Sequence, residues 1–225
     1  NSNSTAKNDP VIKSSLQSEL SSIFETSTSL PLIKYGDFYN NYITPKVSFR
    51  FNPSDMKKDT NNRRIDTSNL FSIGRLGISN GFEPGKSLTV GLDYKRENTN
   101  DLNKYFELRF GAVFRDSVEE MIPTVSTIDK KVSNLFGSAY SNLGDMFSFN
   151  YDYSIDKDFK TIEYNALSAK MKYQRFETEL VFVEANGDVG DSNSILNKFS
   201  YGIDKNNFLS FNTRRNRKLG LTEYY

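Results

Sequence analysis

Phe147-Ser148-Phe149-Asn150-Tyr151-Asp152-Tyr153-Ser154 alternates without a break between an aromatic and a small polar or acidic side chain. A period of two marks a β-strand, because successive side chains point to opposite faces of the pleat. One face of this strand is wholly aromatic and the other wholly polar. A strand on a soluble core can read this way. So can a strand of a membrane barrel, apolar toward lipid and polar toward a wet lumen.

The pattern recurs on both sides of that stretch. Upstream, Ile43 to Asn52 sets Val47, Phe49 and Phe51 against Ser48 and Arg50, with Pro45 tolerable near a strand start. Ser87 to Tyr94 sets Leu88, Val90, Leu92 and Tyr94 against Thr89, Gly91 and Asp93. In Tyr105 to Arg115, Phe106, Leu108, Phe110, Ala112 and Phe114 oppose Glu107, Arg109, Gly111 and Arg115, which Val113 joins. Charges interleaved with Phe at period two exclude a strand buried on both sides. Asn134 to Asn142 leads into the opening strand through the tight connection Leu143-Gly144-Asp145.

Downstream, Thr161 to Tyr173 sets Leu167, Ala169, Met171 and Tyr173 against Ser168, Lys170 and Lys172, and Glu177 to Glu184 returns after a short turn. Phe199, Tyr201 and Ile203 then oppose Lys198, Ser200 and Gly202, and Leu209, Phe211 and Thr213 oppose Ser210, Asn212 and Arg214. Two weaker strands are expected. One is Ser14 to Thr26, where a weak amphipathic helix is the alternative and Ser, Thr and Ile favour the strand; the other is Asn69 to Ser79, poorly alternating and bent at Gly74 and Gly77. Residues 1–10 and 57–66 read as polar loops, and Asn80-Gly81 and Pro84-Gly85 as a turn.

The total is about ten or eleven strands of roughly 9 to 12 residues, the length of a tilted membrane-crossing strand. Connections after Asn142, Tyr173 and Ile203 are short, and those after Arg115 and Glu184 longer. Short turns at one end and long loops at the other describe an outer-membrane barrel. A β-sandwich also shows regular strands and turns, but less often carries charge on one face of nearly every strand. The expected fold is therefore all-β, an antiparallel meander forming part of a large transmembrane barrel wall. The domain division is a polar loop with a weak strand over residues 1–29 and a partial barrel over 30–225.

Composition fits that reading. Apolar residues are 36% of the chain and mean hydropathy is −0.60, yet aromatics reach 14%, too many for a disordered chain. A barrel reconciles the two, since only alternate residues need be apolar. The net charge of +1, with both signs scattered, gives no footprint of a nucleic-acid partner. The chain has neither Cys nor His, which removes disulfides, thiolate zinc sites and the commonest general base. Without an initiating Met, and ending at Tyr224-Tyr225, it reads as an internal piece of something longer.

Two segments carry a more specific likeness. Asn69-Leu70-Phe71-Ser72-Ile73-Gly74-Arg75-Leu76, followed by Phe82-Glu83-Pro84-Gly85-Lys86-Ser87-Leu88-Thr89-Val90-Gly91-Leu92-Asp93-Tyr94, resembles the barrel segment NLFS-x-x-R…G-x-x-L-T-x-G-x-x-Y of the LptD family, which assembles lipopolysaccharide in the outer membrane. Thr213 to Lys218 and Leu221 to Tyr225 resemble a later strand of that barrel and its turn, in the right order. The likeness runs from about Leu30 to the end of the sequence. It implies a middle arc of barrel wall in the outer membrane of a Gram-negative bacterium, in contact with outer-membrane lipid. It further implies lipopolysaccharide as cargo, an LptE-like plug lipoprotein inside the barrel, and periplasmic bridge proteins that meet an N-terminal jellyroll not present in these residues. Such an arc would not transport alone.

Candidate site residues follow from the faces. Arg50, Asp93, Glu107, Arg109, Lys170, Lys172 and Arg214 fall on the polar side and could line a path for a charged glycolipid. The plainer reading is a cross-strand ladder of ion pairs that keeps a wide wall in register. Arg214, Arg215, Arg217 and Lys218 form the densest basic cluster. Arginine forks suit phosphate, whereas a charge run most often belongs to a solvated strand end. Asn186 to Asp191 lacks the acceptor spacing and terminal Glu of an EF-hand and reads as a turn. Glu119 and Glu120 have no catalytic partner nearby in sequence. No nucleophile–base set or cofactor motif appears, and a non-enzymatic wall segment is expected. The competing readings are a soluble β-sandwich binding or adhesion module and a barrel with lipase or protease activity.

Overall fold

The computed structural model of the chain describes residues 22–56, 63–78, 82–204 and 207–224. The extended segments there are β1 (Phe24–Ser29), β2 (Leu32–Lys34), β3 (Tyr39–Asn52), β4 (Gly85–Asn98), β5 (Lys104–Arg115) and β6 (Leu135–Leu143), followed by β7 (Phe147–Ile155), β8 (Ile162–Tyr173), β9 (Phe176–Ala185), β10 (Ser192–Gly202), β11 (Phe208–Asn216) and β12 (Leu221–Tyr224). They make a single antiparallel sheet in the order β1-β3-β4-β5-β6-β7-β8-β9-β10-β11-β12, with β2 also on β3. Among the described residues the sheet does not close: β12 pairs only with β11, and β1 and β2 only with β3. It is an open arc of wall.

The first edge is one strand broken by proline. β1 lies along 46–51 of β3 and β2 along 41–43. Between them Leu30-Pro31 faces Pro45, and only the Leu30 N–H reaches across, to the Pro45 carbonyl at 3.1 Å. Neither proline has an N–H for the ladder, so pairing lapses there. Of the expected strand Ser14 to Thr26, residues 14–21 lie outside the described residues, as do 1–10, 57–62 and Asn80-Gly81.

Register carries the two faces around the arc. Asp93, Arg109, Ser138, Asp152 and Ala166 stand across from one another on β4 to β8, and so do Tyr94, Leu108, Ala139, Tyr151 and Leu167 on the opposite face. On that apolar face Phe49, Leu92, Phe114, Met171, Phe199 and Phe211 are all exposed. All the strands belong to one sheet, so no second aromatic face meets the first. A sandwich core is absent among the described residues, and the aromatic side forms an outward belt.

The buried core sits instead on the polar face of β3 to β6. The connections there are long, 53–84 and 116–134, and the described residues of both pack over the wall. Met56, Ile65, Leu70 and Leu76 from the first meet Ile122 and Ile128 from the second, against Val113 and Phe136 of the wall. Connections at the other end of the strands are brief: 99–103, 144–146, 174–175 and 203–207.

Asn69 to Ser79 corrects the strand reading. Residues 67–76 run in successive turns instead of a strand. Asp66 Oδ1 accepts the N–H groups of Ser68 and Asn69 at 2.8 and 3.1 Å, while Asn69 Oδ1 accepts the Asp66 N–H at 3.1 Å. These short side chains bond the local backbone in place of a ladder. Leu70, Arg75 and Leu76 are buried, a spacing no pleated strand can present to one side.

Candidate functional site on the inner face

The inner face divides into a covered half and an open half. In the covered half, β3, β4 and β5 bring Arg50, Ser87 and Arg115 directly across from one another. The 63–84 segment lowers Arg75 and Glu83 onto them. Arg75 grips Glu83 with both arms, Nε to Oε2 at 2.6 Å and Nη2 to Oε1 at 2.5 Å. Arg75 Nη1 also donates to Thr89 Oγ1 at 2.8 Å and to the Leu70 carbonyl at 3.1 Å.

Arg115 donates to Glu83 Oε1 and to the Pro84 carbonyl. Arg50 stands 3.7 Å from Glu83 and donates to the Ser72 carbonyl at 3.0 Å and to Glu25 at 3.3 Å. Three guanidiniums and two carboxylates thus form one network, and Arg75 is completely buried within it. Burial opposes ionisation of Glu83, but Arg75, Arg115 and Arg50 outweigh it and hold the carboxyl below its ordinary value.

Two glycines seat the same segment. Gly91 and Gly111 pair across β4 and β5 on the inner face. A Cβ on Gly91 would come within 2.8 Å of both the Phe71 ring and the Phe110 carbonyl oxygen. One on Gly111 would run into Leu70 Cδ2 and lie 2.9 Å from the Val90 oxygen. The absent side chains leave a trough that receives Leu70 and Phe71.

The second long loop is tied sideways. Asn134 Nδ2 donates to Ser154 Oγ at 3.0 Å and to Glu163 Oε2 at 2.6 Å. Lys130 pairs with Asp188 of a short 3-10 turn, Gly187–Val189, and that carboxylate raises the lysine's affinity for its proton. This is the turn weighed above as a calcium loop. No group of metal-ligating side chains occurs among the described residues.

Each candidate residue has a definite place. Asp93 pairs with Lys46, and Arg109 with Glu107 at 2.8 Å beside a polar recess of about 410 Å³ that Asp66, Asn150 and Asp152 also line. In the open half, Lys170 pairs with Glu177 at 2.8 Å and Lys198 with Glu179 at 3.0 Å. Lys172 stands opposite Glu177 and lines, with Lys170, a second recess of about 580 Å³ near the short turns. Arg214 faces Glu223 on β12 and Leu196 on β10. Register puts all seven on the same face, but only Arg50 joins the buried network. Arg215 lies on the outer face beside Ile195, and Lys218 pairs with Asp191.

Exposed pairs of this kind contribute little, about 0.2–1 kcal/mol each. Lys198→Ala should therefore shift a urea unfolding midpoint only slightly, a contrast with the buried network taken up below. Arg75, Glu83 and Arg115 were missed as site residues, although Arg75 stands within the stretch that carried the family likeness.

Comparison with known families settles the relationship. The model of LptD, LPS transport system D, matches residues 1–207. The chain belongs to the LptD family. A search of curated proteins finds no match. At the family level this is a lipopolysaccharide-transport protein. The match covers β1 to β10 and both inward loops, and leaves β11 and β12 beyond its end. Of the residues that carried the sequence likeness, Asn69 to Leu76 form a loop folded onto the wall and Gly85 to Tyr94 lie in the strand that seats it, while Thr213 to Lys218 and Leu221 to Tyr225 lie beyond the matched residues.

Proposed function

We propose that this chain is a section of the outer-membrane barrel through which lipopolysaccharide reaches the outer leaflet, working with a plug lipoprotein inside the barrel. The observation that carries the reading is the division of one open sheet into an exposed apolar face and a charged inner face, joined to family membership. The domain reading is an N-terminal polar segment, residues 1–29, leading into barrel wall over 30–225. The long connections point outward from the cell and the short turns toward the periplasm.

In this reading the covered half of the inner face is closed by the chain's own loops. The open half, β8 to β12, carries the ladder of Lys170, Glu177, Glu179 and Lys198 and is where a plug protein or a charged glycolipid has access. Bridge proteins on the periplasmic side would act through parts outside this sequence.

Single cysteines along β7 test it, since these residues contain no cysteine of their own; any cysteine elsewhere in the full-length protein is first replaced by serine. In the full-length protein in membranes, a membrane-impermeant thiol reagent should label Ser148→Cys and spare Phe147, Phe149 and Tyr151 replaced likewise. Ser154→Cys should be spared too, although it shares the inner face, because Ser154 is buried beside Asn134. Labelling at both Phe149 and Ser148 would end the membrane-wall reading.

A further inference from the structure

The outer face carries one feature that a smooth lipid-facing wall does not need. The β5–β6 ladder ends at Gly111 opposite Phe136, while β5 runs on to Arg115. Beyond that point β5 stays paired with β4, but on its β6 side it meets only the Phe114–Val132 bridge and hydrogen bonds with Lys131 and Ser133. The notch is deepened by a change of side-chain size, Phe110-Ala112-Phe114 along one face of β5.

The result is an apolar crevice of about 480 Å³, floored by Val90, Leu92, Phe110 and Ala112. That volume lies within the range of about 300–1,000 Å³ usual for small-molecule sites. It opens on the same face as the exposed belt residues Leu92 and Phe114.

The 156–161 turn overhangs the crevice. Asp156 Oδ1 accepts the N–H groups of Lys160 and Thr161 at 2.6 and 2.7 Å, which fixes the turn. Phe159 sits at φ 57°, uncommon for a bulky residue, and is largely exposed while its ring lines the crevice. Lys157 lines the rim and pairs with Asp158 in the exposed turn, at 3.0 Å. Phe159 thus holds a disfavoured backbone conformation at the rim of an apolar crevice, the kind of local strain that gathers at ligand clamps.

We propose that the crevice holds an acyl chain of an anionic lipid from the leaflet on the long-loop side, with Lys157 at the height of its headgroup. The inference rests on the membrane-wall reading above. Apolar continuity with the belt supplies the chain's environment, and Lys157 supplies the positive charge, since its solvent-exposed pairing with Asp158 is weak enough for a lipid phosphate to displace.

These residues contain no tryptophan, so with any tryptophan elsewhere in the full-length protein replaced by phenylalanine, single reporters can separate the two ideas. Phe159→Trp and, on the open belt, Leu180→Trp are placed in the full-length protein in phosphatidylcholine vesicles. The vesicles contain a minor fraction of phosphatidylglycerol brominated on its acyl chains. Quenching at Leu180→Trp should follow the bulk fraction of brominated lipid. Quenching at Phe159→Trp should report about five-fold enrichment, the order that one lysine near a charged membrane supplies. Adding Lys157→Glu, or Ala112→Phe to fill the slot, should return it to the belt level.

Belt-level quenching at Phe159→Trp, with Leu180→Trp normally quenched, overturns the lipid site alone. No quenching at Leu180→Trp overturns the membrane-wall reading beneath it.

Discussion

Glu83→Ala should free the 63–84 segment from the wall and lower stability by about 3–5 kcal/mol, the cost of removing one partner from a buried ion network. Among the described residues, Glu83 is the only carboxylate that all three of Arg50, Arg75 and Arg115 approach. Without it, two fully buried guanidiniums and a third nearly so would share Glu25 alone, which only Arg50 reaches. The local consequence should exceed the global one, because the wall strands keep their ladders. Limited proteolysis of the folded protein should therefore cut within 63–84 in Glu83→Ala and spare β7 to β11. Glu83→Gln keeps the shape but not the charge and should fall between. Wild-type resistance in Glu83→Ala would show that Leu70, Leu76 and their apolar contacts hold the segment without the ions.

The same network sets a pH dependence. The Glu83 carboxyl is held below its ordinary value in the folded state, so the unfolded chain binds the proton more tightly. Its contribution is then fully present above the unfolded value, about 4.3, and is lost only as pH falls through the lower folded value. Protection of 63–84 should stay level from neutral pH down to about 4.3 and give way below that. A midpoint of release at pH 6 would remove Glu83 as the controlling group.

The strands were legible because their cause is local. Wherever one face is apolar and exposed and the other polar, period two survives along the strand, as in Phe147 to Ser154 and Tyr105 to Phe114. The inner surface was legible only as polar. Ser48, Arg50, Asn52, Ser87 and Thr89 look like residues wetted by a lumen, yet all five are buried. A polar side chain satisfied by protein partners has the same letter as one satisfied by water, so β3 and β4 gave no sign of what covers them. Glu83, in Phe82-Glu83-Pro84-Gly85, read as part of a turn. Its partners lie at Arg50, Arg75 and Arg115, and no local window joins them. For Asn69 to Leu76 the failed alternation was itself the signal: a hydrophobic segment with the wrong period for a strand, next to a strand carrying an inward glycine.

That glycine and its neighbour support the second large effect. Gly111→Ala should lower stability by about 1–3 kcal/mol, as overpacking does in a filled core. Its new methyl meets Leu70 Cδ2 and, at 2.9 Å, the Val90 carbonyl oxygen, and the latter belongs to the ladder and cannot step aside. Leu70→Ala, which empties the trough, should cost about 2–5 kcal/mol. The informative quantity is their coupling. If Gly111 exists to seat Leu70, the methyl is less harmful once Leu70 is shortened, and the double variant should be more stable than the sum by about 0.5–3 kcal/mol. If Gly111 serves only the close approach of β4 and β5, the Val90 contact remains whatever stands at 70, and the two costs should add. Urea unfolding of the four proteins in detergent decides between these. A sub-additive result would make the paired glycines and the turns above them one device, built so that a loop in the middle of the chain can lie against the inside of its own wall.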